Sequence, residues 1–275
     1  MKRNRGLPPL LVVIAALAVV LFTLPLVGLL ARVPWSRLGS VFGSSVVGQA
    51  LWLSLASSVV SAAVSFVLGV PLAWVLARGR FPGRSVVRAL VTLPMVLPPV
   101  VGGAALLFAF GRRGTFGGPI ADATGFVLPF SFWGVVVANT FVAMPFLVVT
   151  VEGAFRGLDE RFEEMAASLG ASPIEAFRKV ALPMIRPSLL AGVVLAWARA
   201  LGEFGATITF AGNLPGRTQT LPLAVSVELE RNRDQAVAIS LILVVISLIV
   251  LIALRDRWWR TDRDRSVEAG ERVAS

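Results

Sequence analysis

Cysteine and histidine are both absent from the 275 residues, and lysine occurs only at Lys2 and Lys179. Without thiolate or imidazole the chain can form no disulfide, no Ser-His-Asp triad and none of the common zinc constellations. The lysines exclude a further class. Arg178 precedes Lys179 where a phosphate-binding loop demands glycine, so no Walker A sequence exists and the chain is no P-loop ATPase. Charge is scarce as well, at 15% of residues against 56% hydrophobic, with a mean hydropathy of +0.80. Soluble domains carry about 25% charged residues, so the composition points to a bilayer as the solvent. The net charge of +10 would suggest nucleic acid in a soluble protein. Here the basic residues lie in short segments between long apolar runs, the pattern of membrane topology, and no nucleic-acid partner is expected.

A hydrocarbon core about 30 Å thick requires about 20 apolar residues per helix. Six stretches qualify: near Pro8 to Ala31, Val46 to Ala77, Val86 to Phe110, Phe126 to Val151, Pro187 to Phe210, and Gln235 to Leu254. They predict an all-α, polytopic membrane helix bundle with six transmembrane helices. The first run is too long for a signal peptide and no clear small-residue cleavage site follows it, so it reads as an uncleaved anchor. With the N-terminus placed inside, Lys and Arg number three in the first tail, four over Arg78 to Arg88, five over Arg156 to Arg186 and six in the last tail, 18 in all. The opposite side carries 7, so the positive-inside rule places both termini in the cytoplasm of a multi-pass cell (inner) membrane protein. Residues 1–255 then form one transmembrane domain, with a cytoplasmic loop over 152–186. Residues 256–275 form a charged tail without apolar periodicity, which reads as disordered. In the third run, the prolines of Leu93-Pro94-Met95-Val96-Leu97-Pro98-Pro99 predict a kinked segment buried in protein.

The loop has its own architecture. Asp159 is a candidate N-cap, and Phe162, Met165, Ala166 and Leu169 recur at i, i+3, i+4 and i+7 as an apolar stripe on a short helix. Gly170 stands where a C′ glycine ends such a helix. Ser172-Pro173-Ile174-Glu175 offers a capping box for a second helix running to about Ala181, broken by Leu182-Pro183 and Arg186-Pro187. Two short helices about a glycine hinge, presenting an apolar stripe, suit docking into another protein's groove.

The same letters carry a resemblance that periodicity does not supply. Glu164-Met165-Ala166, three residues, Gly170, nine residues, Val180, one residue and Leu182-Pro183 resemble the EAA loop of ABC importer permeases. The departures are Met165 for Ala and Val180 for Ile, both apolar. The resemblance extends over roughly Gln49 to Ala238. It narrows to the molybdate-type permease through Leu93 to Pro99, Gly111 to Gly114, Arg199 to Thr207 and Ala211 to Pro222. Sulfate permeases share the Gly202-Glu203-Phe204-Gly205 core. What the resemblance implies is the type I importer permease fold and a homodimer of six-helix subunits. Each loop then sits on a cytoplasmic ABC ATPase, which binds the ATP and magnesium, so this chain holds no cofactor and is not an enzyme. An external substrate-binding protein delivers the oxyanion, molybdate rather than tungstate or sulfate/thiosulfate, and Glu164, Met165, Ala166, Gly170, Val180, Leu182 and Pro183 carry the coupling to the ATPase.

Arg199 and Glu203 are charges within the fifth apolar run, placed mid-helix at i, i+4 on one face. Two readings stand for them: a structural ion pair that locks packing, or a pair lining the substrate pathway. Rivals of other classes fare less well. An intramembrane aspartyl protease needs two embedded Asp, whereas Asp122 and Asp159 lie between the apolar runs. A secondary transporter or channel without an ATPase would leave the loop's stripe without a purpose.

Overall fold

The computed structural model describes residues 8–252. The predicted tail over 256–275, with Lys2, Arg3 and Arg5 at the other end, lies outside the described residues. Helices make up the architecture: α1 (Pro9–Ala31), α2 (Ser45–Arg78), α3 (Arg84–Val96), α4 (Pro99–Phe110), α5 (Phe132–Gly157), α6 (Arg161–Ser168), α7 (Pro173–Met184), α8 (Arg186–Leu201), α9 (Gly205–Phe210), α10 (Leu221–Arg231) and α11 (Arg233–Ile252). Short helical turns at Trp35–Arg37, Leu38–Phe42 and Gly117–Thr124 fill two connections.

Four of the six predicted runs are unbroken helices long and apolar enough to cross a membrane, namely α1, α2, α5 and α11. The other two are interrupted. The run over 86–110 is split into α3 and α4, of 13 and 12 residues, because Pro98 and Pro99 offer no N–H and drive Leu97 into an extended conformation. What was expected as a kink buried in protein is a break, and of Leu93 to Pro99 only Pro94 is buried, the flanking apolar side chains facing outward from this single chain. The run over 187–210 is split into α8 and α9 by Gly202, Glu203 and Phe204.

Helix α2 is the spine. Ser54, Ser57, Ser58, Ser61 and Ser65 recur at helical spacing and are all buried, so the backbone of α5 approaches closely across them. Ser61 Oγ donates to the Val136 carbonyl at 3.1 Å, and Ser54 Oγ accepts from the Leu221 N–H at 2.7 Å. Hydrogen bonds of this kind in a membrane interior stabilise packing by about 0.6 kcal/mol each. Below the serines, Val70, Ala73, Leu76, Leu147, Val148, Val151, Phe155 and Leu189 form the largest apolar core, where α2, α5 and α8 meet. Pro71 and Pro145 lie inside α2 and α5 without interrupting them. Helix α1 is different: none of its residues is buried.

Candidate functional site

The loop between α5 and α8 is built largely from the caps its sequence announces. Asp159 Oδ1 accepts from the Arg161 N–H at 3.0 Å, although the residue in the N-cap place is Glu160 and not Asp159. At the other end of α6 the Gly170 N–H reaches the Ala167 carbonyl and the Ala171 N–H reaches back to Ala166. This pair of bonds is a Schellman motif, and it requires Gly170 in the left-handed region, at φ +87°. Ser172 and Glu175 form the expected capping box at the start of α7. The Glu175 carboxyl is lowered to about 2, first by its hydrogen bond from Lys179 and then by the bonds from Ser172.

Leu182-Pro183 does not end α7, as the sequence suggested. A π turn over Phe177–Ala181 precedes Pro183 and the chain remains helical through Met184. The wider hydrogen-bonding pattern accommodates a residue that has no N–H to give. The chain then turns by 81° at the junction with α8.

The loop presents two faces. Outward lie Phe162, Met165, Leu169 and Ile174, all exposed, with Leu169 at 90%, and Glu164 is exposed beside them. Ala166, Val180, Leu182 and Pro183 are half-buried. Inward lie residues that the sequence reading did not single out. Phe177 is buried with its ring 5.1 Å from Trp74 and 6.1 Å from Phe155. Glu163, next to the exposed Glu164, accepts from Arg78 Nε at 2.9 Å and from Trp74 Nε1 at 3.3 Å. Arg78 also donates to the Leu158 carbonyl at 2.9 Å and pairs with Glu160 at 3.4 Å. One arginine at the end of α2 therefore fastens both the start of the loop and α6. A signal for this face was present, because Phe177, Ala181 and Ile185 recur every four residues and all three are buried.

Arg199 and Glu203 meet at 2.6 Å between Nη1 and Oε2. The structure corrects their setting: α8 ends at Leu201, so Glu203 sits in the break and not mid-helix. Its Oε1 accepts from the Ala206 N–H at 2.7 Å, which satisfies one of the orphan donors of α9. The Glu203 side chain is 1% exposed and that of Arg199 28%. An ionised carboxylate at that depth is tolerable only because one oxygen takes the guanidinium and the other a backbone donor. The elbow also touches the other break. A Cβ on Gly205 would lie 2.9 Å from that of Pro99, and one on Gly103 would lie 2.8 Å from the Ala206 carbonyl oxygen. Thr207 Oγ1 donates to Asn139 Oδ1 at 3.1 Å, tying α9 to α5. The two interrupted runs thus pack break against break, around a buried polar cluster. Irregular backbone at membrane depth persists only where it is buried in protein or lines a cavity.

Comparison with known proteins places these features. Residues 69–259 match the family described as binding-protein-dependent transport system inner membrane component. The molybdenum transport system permease protein ModB of Mycobacterium tuberculosis is 46% identical over 213 residues, covering 77% of this chain and 80% of that one. Its Escherichia coli counterpart is 42% identical over 64% of this chain and 77% of that one. The sulfate transport system permease protein CysT of Salmonella typhimurium is 37% identical over 71% and 70%. Among solved structures, a bacterial ABC transporter involved in import of the acidic polysaccharide alginate superposes with a TM-score of 0.74 at 16% identity, over 91% of this chain and 95% of that one, a likeness of fold. An apolar helical bundle with two broken runs, a capped loop outside them and a family match over most of the chain lead to one conclusion: the protein belongs to the binding-protein-dependent transport system inner membrane components.

Proposed function

We propose that this chain is the membrane-spanning permease subunit of an ABC importer for molybdate, and that its α6–α7 loop receives a cytoplasmic ATPase. The observation that carries the coupling role is the loop's division of labour. Glu163, Phe177 and Ile185 hold it to the bundle while Phe162, Met165, Leu169 and Ile174 are left outward as apolar surface. Such surface on a short, capped element suits a protein groove. Glu164, Met165, Ala166, Gly170, Val180, Leu182 and Pro183 contribute the contact and its shape.

The split runs over 86–110 and 187–210 each count as one span beside α1, α2, α5 and α11, which makes six. The basic loops set both termini on the cytoplasmic side of the inner membrane. The unburied α1, with a mean hydropathy of 3.0, leaves apolar surface for lipid and for a second copy of the chain in a homodimer. An external binding protein hands over the anion, and ATP and magnesium stay with the ATPase. Arg199, whose side chain is partly exposed, and Glu203 stand beside the path where the two breaks meet.

Molybdate is favoured by the ModB relatives at 42–46% identity. Sulfate is the second reading, favoured by the CysT relative at 37%. The test is oxyanion uptake by vesicles holding the complete complex. Molybdate or tungstate should compete at concentrations well below those of sulfate, and equal competition by sulfate selects the second reading.

A further inference from the structure

Glu152, near the end of α5, is not accounted for by the loop or by the elbow. Only 7% of its side chain is exposed, so its charge requires partners. Its Oε1 accepts from Arg88 at 2.6 Å (Nη2) and 3.0 Å (Nε), and forms an ion pair with Arg156 Nη2 at 2.8 Å. Arg88 stands on α3, and its Nη2 also donates to the Leu76 carbonyl at 3.2 Å. One turn earlier on α3, Arg84 Nη2 donates to the Ala77 carbonyl at 3.1 Å. Both carbonyls belong to the last turn of α2, where no intrahelical donor remains.

These contacts form a sequence of charged joints. Glu163 of α6 is held by Arg78, the last residue of α2; the turn that ends in Arg78 is held by Arg84 and Arg88 of α3; Arg88 is held by Glu152 of α5. Beyond the joint, α3 runs to the break at Leu97 and Pro98, and the next residue, Pro99, lies against Gly205 at the elbow. Val87 and Val91 also pack on the core, so α3 does not depend on Arg88 for being in place. Apolar packing tolerates sliding and small rotation. A guanidinium gripping one carboxylate oxygen through two N–H groups has one favourable geometry and so fixes the angle of α3 on α5.

We propose that Glu152 is a positioning residue: through Arg88 it transmits displacement of the loop to α3, and so to the break at Leu97–Pro98. The inference rests on the reading of the loop as the coupling element. The test uses the complete complex in vesicles with ATPase and binding protein, measuring molybdate uptake and ATP hydrolysis together. In Glu152→Gln the ATPase should remain bound and hydrolysing while uptake per ATP falls about tenfold, within the range usual for coupling between sites. Arg88→Lys keeps the charge but loses the two-pronged grip, and its ratio should fall less far; it decides the matter if Glu152→Gln does not assemble. A merely structural residue would lower uptake and hydrolysis together with the amount of complex, and an unchanged ratio in both variants overturns the proposal. Gly170→Val separates the two readings. Normal uptake in that variant rejects the loop as coupling element, whereas collapse in Gly170→Val with an unchanged ratio in Glu152→Gln and Arg88→Lys rejects the joint alone.

Discussion

Glu203 does two jobs with two oxygens, and substitutions can take them apart. Glu203→Gln keeps an oxygen for the Ala206 N–H but removes the charge facing Arg199. Breaking a buried pair on one side costs about 3–5 kcal/mol, and the partial exposure of Arg199 places this case at the low end. Thermal unfolding in detergent should therefore show Glu203→Gln clearly destabilised, and Arg199→Met with Glu203→Gln recovered toward the parent. If the pair only locks packing, uptake recovers with stability; if Arg199 faces the anion, uptake stays low in the double variant. Gly170 shows a smaller effect with a larger readout. A Cβ there would meet nothing within 4 Å, so the obstacle is φ alone. The left-handed conformation costs a non-glycine residue about 1 kcal/mol, more for a β-branched one. Gly170→Val should leave membrane abundance near normal while uptake collapses, and Glu164→Ala should impair uptake less; immunoblotting and uptake check both. The sequence showed the Arg199–Glu203 spacing and the place of Gly170. It hid the position of Glu203 beyond the end of α8, because Gly202 is tolerated inside many membrane helices and does not by itself mark an end.

Among the elements, the loop was the most legible and its anchorage the least. Caps depend on neighbours a few residues away, so Ser172 with Glu175 and Gly170 after Leu169 could be read directly. The contacts of Glu163 with Arg78 and of Phe177 with Trp74 join residues far apart in the chain, which no local pattern contains. The capping charge is robust: Glu175 is lowered to about 2, so its contribution is present above the ordinary carboxylate range and is lost only as pH falls toward 2. Anchorage is the weaker point. Phe177→Ala removes a buried ring, a change that costs about 3–5 kcal/mol in well-packed cores. That exceeds what a short loop holds in reserve but not what the bundle holds. Limited proteolysis should therefore cut the variant within α6 or α7 while the membrane helices stay intact, and the ATPase should no longer co-purify. The π turn beside Phe177 also went unforeseen. In an α-helix, residues eight apart drift by about 80°; the wider turn takes up that drift and brings Phe177, Ala181 and Ile185 onto one inward line.

At the scale of the molecule, composition and hydropathy announce a membrane bundle; four of the six runs coincide with single long helices and two are each divided between two helices. Where two of those runs break was only partly visible, since prolines at 94, 98 and 99 mark one interruption and nothing comparable marks the other. The arrangement of the breaks has a mechanical consequence. Helices α2 and α5 are continuous past their own prolines and meet across the buried serines of α2, whereas the runs of α3 with α4 and of α8 with α9 are each interrupted near where Pro99 meets Gly205. These interruptions predict that compliance concentrates at the seam where the two breaks meet, while α2 and α5 stay stiff. Hydrogen exchange should report the contrast. Amides around Leu97 and around Gly202 to Phe204 should exchange faster than those of Ser57 to Ser65 and Val142 to Val151, and uniform protection across both sets would show that the seam does not yield.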